Sequence, residues 1–204
     1  MKRSTVLAAF GAGLALAAQS VSAAPVQLTS FDNFSLDAIY GSWGAPFATL
    51  TSGPTAFTVR SHNYGSGYKY LGGEFNAAGN DTVQVNVTVS EGVAGVLVDL
   101  VDASNNGQAY RFYGLTPGNG VNGSNDYVLT MKLTDGQYFT GTGVLDPTRI
   151  SQMNIEIDPG PTNDFYTAAF NDLSLVSSVV PEPAGLGTAA LGGLFLARRR
   201  RQRR

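Results

Sequence analysis

Two short segments near opposite ends of the central part of the chain share a pattern rich in oxygen donors. Phe31-Asp32-Asn33-Phe34-Ser35-Leu36 and Phe170-Asn171-Asp172-Leu173-Ser174-Leu175 both read Phe, two short acid or amide residues, a large apolar residue, Ser, Leu. Calcium takes about six to eight oxygens from carboxylates, amides and backbone carbonyls. If the two segments lie side by side, Asp32, Asn33, Asn171 and Asp172 converge as a candidate structural calcium site, with Glu74 as a further donor. The alternative is that these groups only satisfy irregular backbone, the likeness being chance.

Aromatic residues offer a second chemistry. Sugar rings lay their C–H faces on flat aromatic side chains while amides and acids hold the hydroxyls. Three stretches supply candidates: Trp43 follows Tyr40-Gly41-Ser42, Tyr64 and Tyr68 lie in the run from His62 to Tyr70, and Tyr110, Arg111 and Tyr113 follow Gln108. On a strand, Arg111 and Tyr113 share one face and Tyr110 and Phe112 the other. Tyrosine and phenylalanine are equally ordinary strand residues with one face in a core. Trp43 would also serve as a core or edge plug.

Catalytic chemistry finds little support. His62 is the single histidine and no nucleophile motif accompanies it. One histidine and no cysteine make a zinc site improbable. Gly65-Ser66-Gly67 lacks the lysine and the helix of a phosphate-binding loop. Acidic residues are so abundant that some carboxylate pair is inevitable, which singles out no glycosidase pair. The chain reads as non-enzymatic.

The elements that position these residues alternate with period two. Val83, Val85, Val87 and Val89 are separated by polar residues; Val96, Val98 and Leu100 share a face with Asp99 opposite; Tyr127, Leu129, Met131 and Leu133 repeat the spacing; and Met153, Ile155 and Ile157 alternate with Asn154, Glu156 and Asp158. Further strands are expected near 55–60, 68–75, 108–115 and 165–176, with Phe31–Leu36 as the first strand. Turn residues separate them, among them Ser52-Gly53-Pro54, Pro117-Gly118-Asn119-Gly120 and Asp158-Pro159-Gly160-Pro161. In both echoing segments the apolar phase slips at the polar pair, which predicts a bulge. The expected fold is all-β, a two-sheet antiparallel β-sandwich of jelly-roll type.

Residues 24–178 form the expected domain, long enough to bury roughly two-thirds of its unfolded surface. That stretch carries Arg60, Lys69, Arg111, Lys132 and Arg149 against fourteen acids, a net charge of −9. Such a body disfavours nucleic acid as a partner. Without cysteine, no disulfide staples it.

Both ends read as processing segments. Lys2 and Arg3 precede an apolar run, and Val21-Ser22-Ala23 fits a small-x-small cleavage pattern, so residues 1–23 are expected to be a signal peptide cut after Ala23. At the other end, Pro181-Glu182-Pro183 cannot continue a helix or a ladder. It leads into an apolar stretch at 184–197, and arginines including Arg198, Arg199, Arg200 and Arg201 close the chain. As a helix the stretch reaches about 21 Å, short of the hydrocarbon core of about 30 Å. The arginines would stay cytoplasmic.

The order of these three parts in residues 179–204 resembles the PEP-CTERM sorting signal of bacterial exported proteins. That resemblance implies signal peptidase and an exosortase-like protease as processing partners. It also implies transient inner-membrane anchoring by a short hydrophobic helix, then delivery to the cell surface or extracellular matrix. The body's layout resembles galactose-binding-like and carbohydrate-binding-module jelly rolls, the matching residues being Asp32 and Asn33 at the start and Phe170-Asn171-Asp172-Leu173 at the close. The function expected is an exported, non-catalytic surface or matrix protein that engages extracellular polysaccharide. A small polysaccharide-active enzyme and a purely structural coat subunit are the alternatives.

Overall fold

Alternating β-branched residues dictate the architecture. In the computed structural model, which describes residues 22–44, 46–92, 94–159 and 164–178, twelve strands form. The first six are β1 (Val26–Thr29), β2 (Ala38–Gly41), β3 (Ala48–Ser52), β4 (Phe57–Ser61), β5 (Gly65–Phe75) and β6 (Thr82–Glu91). The rest are β7 (Ala94–Asp102), β8 (Gly107–Leu115), β9 (Asp126–Lys132), β10 (Gln137–Thr140), β11 (Ile150–Pro159) and β12 (Tyr166–Val176). The signal peptide, Pro181, Glu182, Pro183, the apolar stretch 184–197 and Arg198 to Arg201 lie outside the described residues. Among the described residues no helix is long and apolar enough to cross a membrane.

The strands form two six-stranded antiparallel sheets packed as a sandwich, the fold class expected from the sequence. One sheet runs β3-β4-β12-β6-β9, and β1 also pairs with β12. The other runs β10-β8-β7-β11-β5-β2. β12 is thus flanked along its length, by β6 on one side and by β4 and then β1 on the other. Val83, Val85, Val87 and Val89 of β6 face Val96, Val98 and Leu100 of β7 and Met153, Ile155 and Ile157 of β11 across one core. β7 is buried at all nine positions. Its second face is therefore covered as well, by side chains of its neighbours.

The expected first strand is corrected. Phe31–Leu36 is not a strand but a turn and extended segment, with Phe31 and Asn33 at φ 58° and 48°. The left-handed region costs a bulky residue about 1–2 kcal/mol. The fully buried Phe31 ring offsets that by packing on Phe34 (4.8 Å between centroids) and Phe170 (5.5 Å). The first strand is instead β1, which pairs antiparallel with β12, Val26 opposite Leu175. The phase slip in the closing segment is a bulge, where the β6–β12 register shifts between Phe170 and Asp172.

Candidate glycan-binding face

Because Met153, Ile155 and Ile157 point into the core, Gln152, Asn154 and Glu156 of β11 point outward. Register carries that phase across the second sheet. Asn154 lies between Asp99 of β7 and Tyr68 of β5, Glu156 between Leu97 and Ser66, and Gln152 between Val101 and Tyr70. Beyond them Ser66 opposes Tyr40 of β2, and Leu97 opposes Arg111 of β8. Tyrosines, amides, acids and one arginine therefore share a single solvent-facing surface.

The aromatics on it are ordered. Tyr40 stacks on Tyr68 with centroids 6.0 Å apart, and Tyr70 meets Tyr68 edge-on at 5.2 Å. Tyr40 and Tyr70 remain 56% and 58% exposed, so their faces are open to a ligand. On the far side of β7 the Tyr113 ring lies over Gly95, where a β-carbon would come within 2.7 Å of it.

Between these aromatics runs a row of polar side chains. Gln152 Nε2 donates to Asn154 Oδ1 (3.0 Å), and Asn154 Nδ2 donates to Asp99 Oδ2 (3.4 Å). Glu156 follows Asn154 on the same face of β11, and the Tyr64 hydroxyl donates to Glu156 Oε2 (3.2 Å). Asp99 is 1% exposed, between Leu97 and Val101 along its strand and beside Ala109. Burial in that apolar floor pushes its carboxyl up to about 8, and the charge and hydrogen bond of Glu156 add to the rise. Asn154 and Arg111 oppose it more weakly.

Four of the residues singled out as glycan contacts, Tyr64, Tyr68, Arg111 and Tyr113, share this surface. Two do not. Trp43 is 1% exposed and its Nε1 donates to the Tyr166 hydroxyl (2.9 Å), so it plugs the core and offers no platform. Tyr110 is fully buried on the inner side of β8, its hydroxyl donating towards Gln108 Oε1 and the Leu133 carbonyl. The sequence reading missed Tyr40, Tyr70, Gln152, Asn154, Glu156 and Asp99 as members of one site. For Gln152, Asn154 and Glu156 the signal was present, since they alternate with Met153, Ile155 and Ile157 along β11.

The segments proposed for calcium do meet, since Thr29 pairs with Leu173 and Phe31 packs on Phe170. The polar side chains of the closing segment have protein partners. Asp172 accepts from Gln27 Nε2 (2.6 Å) and from the Ser174 hydroxyl, Asn171 Nδ2 donates to Thr88 Oγ1 (3.1 Å), and the Asn33 N–H donates to the Gly53 carbonyl (2.8 Å). Glu74 is held by Arg149 in a two-pronged ion pair. Among the described residues no three His, Cys, Asp or Glu side chains gather closely enough to hold a metal.

No protein-family model matches the chain, and no curated protein sequence is similar to it. Solved structures are similar in fold. A family 11 carbohydrate-binding module from Clostridium thermocellum, in complex with a β-1,3-1,4-mixed-linked tetrasaccharide, superimposes with a TM-score of 0.54 at 12% identity, over 76% of this chain and 96% of that one. The family 11 module of a cellulosomal cellulase of Clostridium thermocellum gives 0.53 at 9% identity, over 78% and 98%. An agarase gives 0.48 at 10% identity over 76% of this chain, which spans 25% of the agarase's length. The fold is that of the carbohydrate-binding-module jelly rolls.

Proposed function

We propose that the protein is a non-catalytic, exported polysaccharide-binding protein, and that the outer face of its second sheet is the binding surface. The observation that carries this reading is the Tyr40–Tyr68–Tyr70 array beside the polar row from Gln152 to Tyr64. Open rings take the apolar faces of sugars, and amide, carboxyl and guanidinium groups take the hydroxyls. A carbohydrate-binding module of similar fold, in complex with a mixed-linked tetrasaccharide, supports the class of ligand.

The arrangement disfavours hydrolysis. A glycosidase holds its two carboxyl groups about 5 Å or more apart, on either side of the scissile bond. Asp99 is buried beneath the face, so it and Glu156 do not flank a bound sugar from two sides. His62 packs edge-on against Phe165 at 5.0 Å.

Delivery in this reading follows the terminal segments: cleavage after Ala23, membrane insertion through 184–197, and processing near Pro181-Glu182-Pro183 by an exosortase-like protease. The surface or matrix is the destination. Deleting residues 198–204 should disturb that maturation, seen as an unprocessed species on immunoblots.

Affinity electrophoresis of the full chain through gels carrying mixed-linkage β-glucan, xylan, agarose or the cell's own exopolysaccharide tests the binding reading. Retardation in at least one polymer is expected. Uniform mobility in all four would overturn it.

A further inference from the structure

We propose that the polysaccharide taken by this face is an acidic one, and that Arg111 reads it by seating a sugar carboxylate in the fork of its guanidinium. This rests on the glycan-binding reading of the face and names the class of polymer. Fourteen acids share the body with five cations, so a cation without a carboxylate partner stands out. Arg60 is paired with Glu91, Lys69 with Asp37 and Arg149 with Glu74, all at 2.8–2.9 Å. Among the described residues no ion pair or hydrogen bond engages the exposed Arg111 guanidinium. Lys132, the other cation without such a pair, belongs to β9 of the first sheet, opposite Thr82. The one unpaired cation of the second sheet is therefore on the proposed binding face.

Register puts Arg111 at the far end of one row that crosses the sheet: Tyr40 of β2, Ser66 of β5, Glu156 of β11, Leu97 of β7, then Arg111 of β8. With strands about 4.8 Å apart, the open Tyr40 ring and Arg111 stand four spacings, about 19 Å, from each other. The flank of Arg111 is open, because β10 pairs with β8 only from Gly107 to Ala109. On its other side Leu97 is buried and offers no acceptor. Tyr113, two residues along, is 59% exposed and lies beside it as a platform. Five N–H donors in a fixed plane match the two oxygens of a carboxylate, which also neutralises the charge as a hydroxyl cannot. The acids of the face do not forbid this. Glu156 is two strands away, about 10 Å, beyond the screening length of about 8 Å at physiological salt. Asp99 is diagonal to Arg111, about 7–8 Å between α-carbons, and is buried with Oδ2 accepting from Asn154. A direct two-pronged contact at about 2.8 Å outweighs both.

The test is affinity electrophoresis of the full chain and of Arg111→Gln in gels carrying gellan, a linear polymer that contains glucuronate, or the cell's own exopolysaccharide. Each polymer is used native and after its carboxyl groups have been reduced to alcohols, alongside the neutral β-glucan, xylan and agarose. Circular dichroism confirms that both proteins are folded. Wild type should bind at least one native acidic polymer about tenfold more tightly than its reduced form, the worth of one charge-assisted contact. Arg111→Gln should not distinguish the two forms. Wild type that prefers the native form in neither pair would overturn the acidic ligand, and retention in any polymer would then leave the binding reading standing. A preference that survives in Arg111→Gln would place the carboxylate on another residue and overturn the role of Arg111. No retention of wild type in any polymer would overturn both readings.

Discussion

Ala24 and Ser178, at the two ends of the folded body, are held by consecutive residues. Asn80 Nδ2 donates to the Ala24 carbonyl at 3.0 Å, and the Asp81 carboxylate accepts from both the N–H and the hydroxyl of Ser178. The chain therefore enters and leaves its sandwich at one pole, on the β5–β6 loop. The Ser178 contacts hold the Asp81 carboxyl down at about 2.

Removing an open ring should weaken binding without harming the fold. Tyr40→Ala and Tyr70→Ala are each expected to reduce polysaccharide retention about tenfold, since loss of one stacked aromatic is worth roughly 1.4 kcal/mol. Affinity electrophoresis with the wild-type melting curve as control checks this. Undiminished retention in both variants would place the ligand elsewhere.

Trp43→Phe should show the opposite pattern. It removes the indole donor to Tyr166 and leaves a gap in a closed core, so urea unfolding should report a loss of about 1–3 kcal/mol. Retention on polysaccharide should be unchanged. Together with the tyrosine variants this separates a core tryptophan from a sugar platform.

Gly65→Ala should be nearly as damaging. A β-carbon at Gly65 would lie 1.9 Å from the Trp43 ring, so the indole must move or the strand must bend. Overpacking of this kind costs about 1–3 kcal/mol, measurable as a lower urea midpoint with unchanged slope.

Stability should depend on pH through Asp99. Its folded pKa, about 8, lies above the ordinary aspartate value of about 3.9. The contribution is fully present below about pH 4, declines as pH rises towards 8, and is level above it. Asp81 acts with the opposite sign: its depressed pKa contributes stability above about pH 4 that is lost as pH falls towards 2. Between pH 5 and 8 the wild-type melting temperature should therefore fall relative to that of Asp99→Asn. Parallel curves would mean that Asp99 titrates as an ordinary acid.

Calcium should make little difference to Asp172→Ala. The carboxylate is engaged by Gln27 and Ser174, so its removal should lower the melting temperature equally in calcium and in chelator. A loss confined to calcium would show that the ion binds there after all.

The strands with strict alternation were legible in the sequence because one clean face is buried: Val83 to Val89 and Met153 to Ile157 are where expected. The short strands β1, β2, β3 and β10 were not, because four or five residues carry too little period to stand out. Phe31 misled, since a buried aromatic in a left-handed turn leaves the same phase slip as a bulge. Within the site, composition pointed to the right tyrosine-rich runs. It could not tell Tyr110 from Tyr113, or Trp43 from Tyr40, because the inward or outward phase of each depends on cross-strand register. Asp99 was legible as an outward residue of β7, but its burial was not, because that is imposed by neighbours distant in sequence.

The position of β12 has a mechanical consequence. The chain leaves the body from the end of this strand, and β12 is flanked lengthwise by β6 on one side and by β4 and β1 on the other. A pull transmitted from a tether through Ser178 runs along the strand, across the direction of its ladder hydrogen bonds. The bonds on both flanks are then loaded together in shear, and none can be peeled open singly. A body gripping a polymer by one sheet and tethered through the central strand of the other would carry tension through its core, where the two inner faces interlock.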